Sequence, residues 1–150
     1  MSIQIQALQH SDRSEWEELA RGYKAFYNSP TSPSEYAAAW EKLMSRQEVF
    51  GLGAKIDGHL VGITHYLFHA TTWTPKVCYL QDLFTLPSAR GKGVARSLIQ
   101  AVEQQASAQG ASRYYWHTHE SNSTARSIYE QFAKFSGFVL YIAPLPNVAG

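Results

Sequence analysis

Ile3, Ile5 and Leu8 sit among polar neighbours at the start of the chain, the period of a short, half-buried strand. Ser11 or Asp12 then offers a cap for a helix whose apolar face is Trp16, Leu19, Ala20, Tyr23 and Phe26 or Tyr27. Two prolines and four hydroxyl residues between Asn28 and Ser34 break that pattern, and a second helix is expected from Glu35 through Trp40 to Leu43 or Met44. Strand-like runs follow at Val49 to Ala54 and Leu60 to Ala70. The Asp57-Gly58 pair between them predicts a tight antiparallel hairpin.

Val77 to Leu86 is almost continuously apolar, as a strand buried on both faces would be, with Gln81 and Asp82 as its interruptions. A glycine-containing loop leads to Val94, Leu98, Ile99 and Val102 at helical spacing, and Gly110 ends that helix. Arg113 to Thr118 reads as a strand, Asn122 to Phe135 as a helix and Gly137 to Ile142 as a last strand. Antiparallel strands first and a strand-helix-strand-helix-strand unit second predict an α/β fold with a mixed sheet whose strand ends can carry a ligand.

Size and composition narrow this further. One hundred and fifty residues suit a single domain, residues 1–150, and 45% hydrophobic residues with 13% aromatic ones exclude a disordered chain. No run approaches the roughly 18 apolar residues of a membrane span, and the start Met1-Ser2-Ile3-Gln4 lacks the blocks of a signal peptide. The expectation is a cytoplasmic protein with no membrane partner. Cys78 is alone, so neither an internal disulfide nor a thiolate zinc site is expected. The pairs His65/His69 and His117/His119 each share a strand face, but no carboxylate or thiol spacing supports them, and no metal is expected.

The net charge of +1 hides an uneven division. Residues 1–60 hold 6 basic and 8 acidic side chains, and residues 61–150 hold 7 and 4. That is too little for a nucleic-acid surface, yet it allows a local anion site in the second half. Arg90-Gly91-Lys92-Gly93-Val94-Ala95 occupies the right place, between the buried strand and a helix start. Its glycines let backbone N–H groups converge on one point while the helix end adds positive potential, a cradle for a pyrophosphate. A plain glycine turn beside a solvated basic patch is the other reading of these residues. The glycine spacing matches neither a Walker loop nor a dinucleotide fingerprint.

The segment Leu83-x-Thr85-x-Pro87-x-x-Arg90-Gly91-Lys92-Gly93-Val94-Ala95 resembles the acetyl-CoA signature of the GNAT N-acetyltransferases, whose core is Gln/Arg-x-x-Gly-x-Gly/Ala. Asn122, Ala125, Ile128-Tyr129 and Gly137-Phe138 resemble the second element of that family. His65-Tyr66-Leu67-Phe68, Trp73 and Tyr79 to Phe84 look like the spermidine/spermine (diamine) branch. Thr118 to Arg126 resembles bacterial relatives of the yeast histone and D-amino-acid acetyltransferases.

The resemblance implies a mixed central sheet flanked by helices, with a splayed pair of parallel strands that binds acetyl-CoA. It also implies direct transfer of acetyl to a primary amine of a polyamine, diamine or amino acid. A homodimer is a family-level expectation, and no nucleic-acid partner is expected. Leu83, Phe84 and Thr85 would meet the pantetheine, Arg90 to Ala95 the pyrophosphate, and Asn122 either the cofactor or its own helix as a cap. Tyr129 matches the tyrosine that protonates the departing thiolate, and it also borders an apolar helix face.

Chemistry adds a demand at the amine. An alkyl ammonium of pKa about 10.4 gives up its proton at pH 7 only at a cost of about 4.6 kcal/mol, so a proton acceptor is useful. Where diamine acetyltransferases carry Glu-Asp, this chain has Gln81-Asp82, and an amide accepts no proton. Asp82 is left to take the proton through water, to hold a cationic substrate, or to serve as a buried structural acceptor. Tyr27, His65, Gln81 and Glu120 are the candidates to line the acceptor pocket, with Tyr23 and Phe26 on the same helix as Tyr27. A protein-lysine acetyltransferase and a non-catalytic acyl-CoA sensor are the competing functions.

Overall fold

The computed structural model describes residues 2–146, which divide between Trp116 and His117 into two compact units. The first is a five-stranded mixed sheet in the order β1-β2-β3-β4-β5. Its strands are β1 (Ile3–Ala7), β2 (Val49–Ile56), β3 (His59–His69), β4 (Val77–Thr85) and β5 (Tyr114–Tyr115), with helices α1 (Arg13–Phe26), α2 (Pro33–Ser45) and α3 (Val94–Ala108). Strands β1 to β4 pair antiparallel, and β4 pairs β5 in parallel. None of the helices among the described residues is long and apolar enough to cross a membrane.

Helix α1 buries Trp16, Leu19 and Ala20, spaced three and four apart, against Leu60 and Ile63 of β3 and against Tyr36, Trp40 and Leu43 of α2. Each fully buried side chain of this size contributes roughly 1.5–3 kcal/mol, so this cluster anchors one face of the sheet. Helix α2 starts two residues before the expected Glu35. Ser32 accepts from the Glu35 N–H at 3.2 Å and Glu35 reaches back to the Ser32 N–H at 3.1 Å, a capping box that places Pro33 in the first turn, where it needs no N–H.

Helix α3 covers the other face with Val94, Leu98, Ile99, Val102 and Ala106. Gly62 of β3 permits that approach: a Cβ there would lie 2.5 Å from Val94 Cγ1. The hairpin turns through Asp57 and Gly58, both at positive φ, as the Asp-Gly pair predicts.

The second unit holds α4 (Ser123–Tyr129). From Arg113 onward the chain differs from the sequence expectation in three ways. Strand β5 has two residues instead of Arg113 to Thr118, and the helix expected to reach Phe135 ends at Tyr129, loosening into i−3 hydrogen bonds at Gln131 and Phe132. Gly137 to Ile142 forms no strand. Phe138, Val139, Leu140, Tyr141 and Ile142 are all exposed, and among the described residues no ladder partner lies beside them; β-prone residues make a strand only against a neighbour.

Candidate active site

The β3–β4 ladder changes register between Tyr66↔Leu80 and His65↔Asp82, so Gln81 is an extra residue with no partner on β3. This is a β-bulge, and it reverses which face each later residue of β4 takes. Leu80 lies with Tyr66 on the α3 side. Asp82, two residues on, lies with His65 on the α1 side instead, and Phe84 follows it to pack under Gly22 of α1. The fully buried Thr64 steadies the bulge by donating from Oγ1 to the Asp82 carbonyl at 2.8 Å. Gln81 itself is exposed.

Asp82 is the centre of a hydrogen-bonded chain. His65 Nδ1 stands 2.9 Å from Asp82 Oδ2, and Trp16 Nε1 donates to His65 Nε2 at 2.9 Å. The Tyr23 hydroxyl donates to the same carboxylate. Burial pushes the Asp82 pKa up, but the hydrogen bond and the electrostatic attraction of His65, the hydrogen bond from Tyr23 and the charge of Lys24 outweigh it and hold the carboxyl below its ordinary value. The tyrosines respond in the opposite sense. Burial first, and then the Asp82 charge, raises Tyr23, Tyr27 and Tyr79, so all three stay neutral phenols around one anion. Tyr23 and Tyr27 have ring centroids 4.9 Å apart, and Tyr79 stacks on Tyr115 at 5.0 Å.

Among the described residues no ladder pair joins β4 to β5 past Tyr79, and Leu83, Phe84 and Thr85 have no strand neighbour on that edge. Thr85 Oγ1 is buried there and has no hydrogen-bond partner. A three-residue 3-10 turn, Pro87–Ala89, then leads to Arg90, whose guanidinium sits 5.9 Å over the Phe84 ring. Gly91 and Gly93 follow at φ +78° and +85°, and a Cβ on either would meet nothing within 4 Å. Helix α3 starts at once, without a side-chain cap and without an acidic residue in its first turn. A 15-residue helix with an uncapped, basic-flanked start suits an anion, and the orphaned Thr85 hydroxyl suits a polar group lying along β4.

The second unit carries the other sequence candidates. Asn122 caps α4, its Oδ1 accepting from the Ala125 N–H at 3.3 Å, while its Nδ2 donates to Thr118 Oγ1. The Glu120 carbonyl accepts from Arg126 at 2.9 Å. Tyr129 is the half-buried last residue of α4. The structure thus groups Asp82, His65 and Tyr27 on one face of the sheet and leaves Gln81 exposed beside them. Sequence reasoning missed Trp16 and passed over Tyr23; a buried indole needs an acceptor, and that signal points to a polar partner for Trp16. Among the described residues no three His, Cys, Asp or Glu side chains are grouped to hold a metal ion.

Comparison with known proteins bears on the family and the fold. The D-amino-acid N-acetyltransferase of Saccharomyces cerevisiae is 29% identical over 143 residues, covering 93% of this chain and 89% of that one. The thialysine N-epsilon-acetyltransferase of Mus musculus is 31% identical over 71 residues, 47% of this chain and 42% of the relative. The aminoglycoside N-acetyltransferase AAC(6')-Iy, solved in complex with CoA, superposes with a TM-score of 0.83 at 19% identity, over 96% of each chain, and so shares the fold. The model of the acetyltransferase (GNAT) family matches residues 13–135, and the chain belongs to that family as an enzyme of the N-acetyltransferase class.

Proposed function

We propose that this protein transfers an acetyl group from acetyl-CoA to a primary amine of a small molecule that arrives as a cation: a polyamine, a diamine or an amino acid. The observation that carries the reading is Asp82, a carboxylate held charged and ringed by the neutral phenols of Tyr23, Tyr27 and Tyr79. A fixed anion among aromatic faces is a good receptor for an ammonium group. The D-amino-acid and thialysine acetyltransferases both act on small amines, which supports the same class of substrate.

The residues fit the cofactor. Gly91, Lys92, Gly93, Val94 and Ala95 would hold the pyrophosphate at the start of α3 with Arg90 beside it, and Leu83, Phe84 and Thr85 would meet the pantetheine along the open edge of β4. Acetyl-CoA, when bound, would supply the acetyl as a thioester, and CoA would be the leaving group, its sulfur departing as a thiolate. Tyr129 is the candidate to donate a proton to that sulfur, and Asn122 to approach the same arm of the cofactor while capping α4. Because Asp82 is held below its ordinary pKa, it is a weak base. Its part is to hold and orient the ammonium, and the proton leaves to water as the amine becomes nucleophilic. Gln81 and Glu120 remain substrate-binding candidates, and the single domain, the homodimer and the cytoplasmic location stay part of this reading.

A thiol-release assay with acetyl-CoA against polyamines, amino acids and a histone peptide tests the proposal. Turnover with the small amines, lost through a raised amine KM in Asp82→Asn, is the expected result. Turnover with the peptide alone assigns the enzyme to protein lysines, and CoA binding without turnover of any amine leaves only an acyl-CoA sensor.

A further inference from the structure

The Trp16 indole can only donate, so the His65 nitrogen that receives it must present a lone pair. The ring proton of His65 is therefore on Nδ1, where it donates to Asp82 at 2.9 Å. We infer that His65 is a positioning residue whose tautomer Trp16 fixes, so that His65 orients Asp82 toward the amine without neutralising it. This rests on the reading of Asp82 as the amine's anchor.

Besides His65, the groups whose hydrogen bonds or charges bear on Asp82 are Tyr23, Lys24 and Tyr27 on α1 and Tyr79 on β4, and β2 sets Gly51 opposite His65. A second proton on His65 would have to enter between Nε2 and the indole N–H, breaking the Trp16 hydrogen bond and setting two donors face to face. Were it to enter, His65 and Asp82 would become an ion pair and the net charge available to an ammonium would fall to zero. The core position of Trp16, 1% exposed, makes this choice of tautomer a property of the fold and not of a mobile side chain.

Two measurements on the whole protein test this. Long-range proton–nitrogen NMR of the histidine rings at neutral pH is expected to show His65 of the wild type with Nδ1 protonated and Nε2 bare. In Trp16→Phe the preference for the Nδ1–H tautomer should be lost, and the amine KM should rise on the order of tenfold while kcat changes less. His65→Leu gives a second route if Trp16→Phe does not fold: the amine KM rises about tenfold with acetyl-CoA affinity unchanged, and His65→Asn, which keeps a donor toward Asp82, recovers most of that loss. A proton on Nε2 in the wild type overturns the inference. So does an amine KM that His65→Leu leaves unmoved while Asp82→Asn raises it. If Asp82→Asn itself leaves the amine KM unchanged, the anchor reading fails first, and the NMR result still shows whether Trp16 sets the tautomer.

Discussion

Asp82 stands across the ladder from His65 because Gln81, its neighbour in sequence, has no partner there at all. Deleting Gln81 restores a regular ladder in which Leu80 still meets Tyr66 and Asp82 still meets His65, so the α1 face keeps Asp82 and Phe84. What the deletion removes is the extra backbone at the point where β4 parts from β5. The expected outcome is a folded protein, with circular dichroism unchanged and a melting temperature within a few degrees of wild type. Its KM for acetyl-CoA should rise on the order of tenfold. A deletion that unfolds the chain shows instead that the bulge is needed for the core.

The depressed pKa of Asp82 makes a second prediction, and its sign follows from linkage. A carboxyl more acidic in the folded state adds stability above its unfolded value, about 3.9, and loses it as pH falls through the lower folded value. Wild type should therefore lose stability relative to Asp82→Asn as the solution is taken from about pH 5 downward, and the two urea-unfolding curves should draw together. At neutral pH the variant should be less stable by about 1–3 kcal/mol, since its amide leaves one of the His65 and Tyr23 donors unmatched. A constant difference across pH contradicts the assignment.

Much of this molecule was legible from periodicity. The α1 face, the Asp-Gly hairpin, the buried β4 and the loop before α3 all follow from local rules that the tertiary structure obeys. The interruption Gln81-Asp82 was visible as an interruption, but its meaning was not, because whether an extra residue is absorbed as a bulge depends on the partner strand. Trp16 and His65 are 49 residues apart in sequence, and each reads by itself as an ordinary core or pocket residue. Their hydrogen bond arises only when α1 crosses β3. The Phe138 to Ile142 run shows the converse: strong strand propensity that pairs with no strand among the described residues stays irregular.

Gly93 separates cradle from scaffold. Its φ of +85° disfavours any side chain, and Gly93→Ala should cost about 1–2 kcal/mol of stability from that strain. With nothing within 4 Å of the added Cβ, no clash adds to this cost, and the variant should fold. Calorimetry should nonetheless show CoA affinity reduced at least tenfold, because the methyl group and the altered backbone disturb the N–H groups that would face the pyrophosphate. Unchanged affinity removes the loop from the cofactor site.

Tyr129 ends α4, and its hydroxyl is the group proposed to protonate the leaving sulfur. Tyr129→Phe removes that oxygen while keeping the ring, so packing along the helix and the cap at Asn122 should survive, with thermal stability within about 1 kcal/mol of wild type. General acid catalysis by a positioned side chain typically contributes 10²–10⁴-fold, and kcat should fall by about that factor. CoA affinity should stay near wild type, since the hydroxyl acts on charge that develops only as the thioester breaks. The decisive measurement is kcat with amines of graded basicity and with a thioester whose thiol is more acidic. A better leaving group needs less help, so the deficit of Tyr129→Phe should shrink with it, whereas a deficit that is the same for every thioester assigns Tyr129 to packing and not to proton transfer.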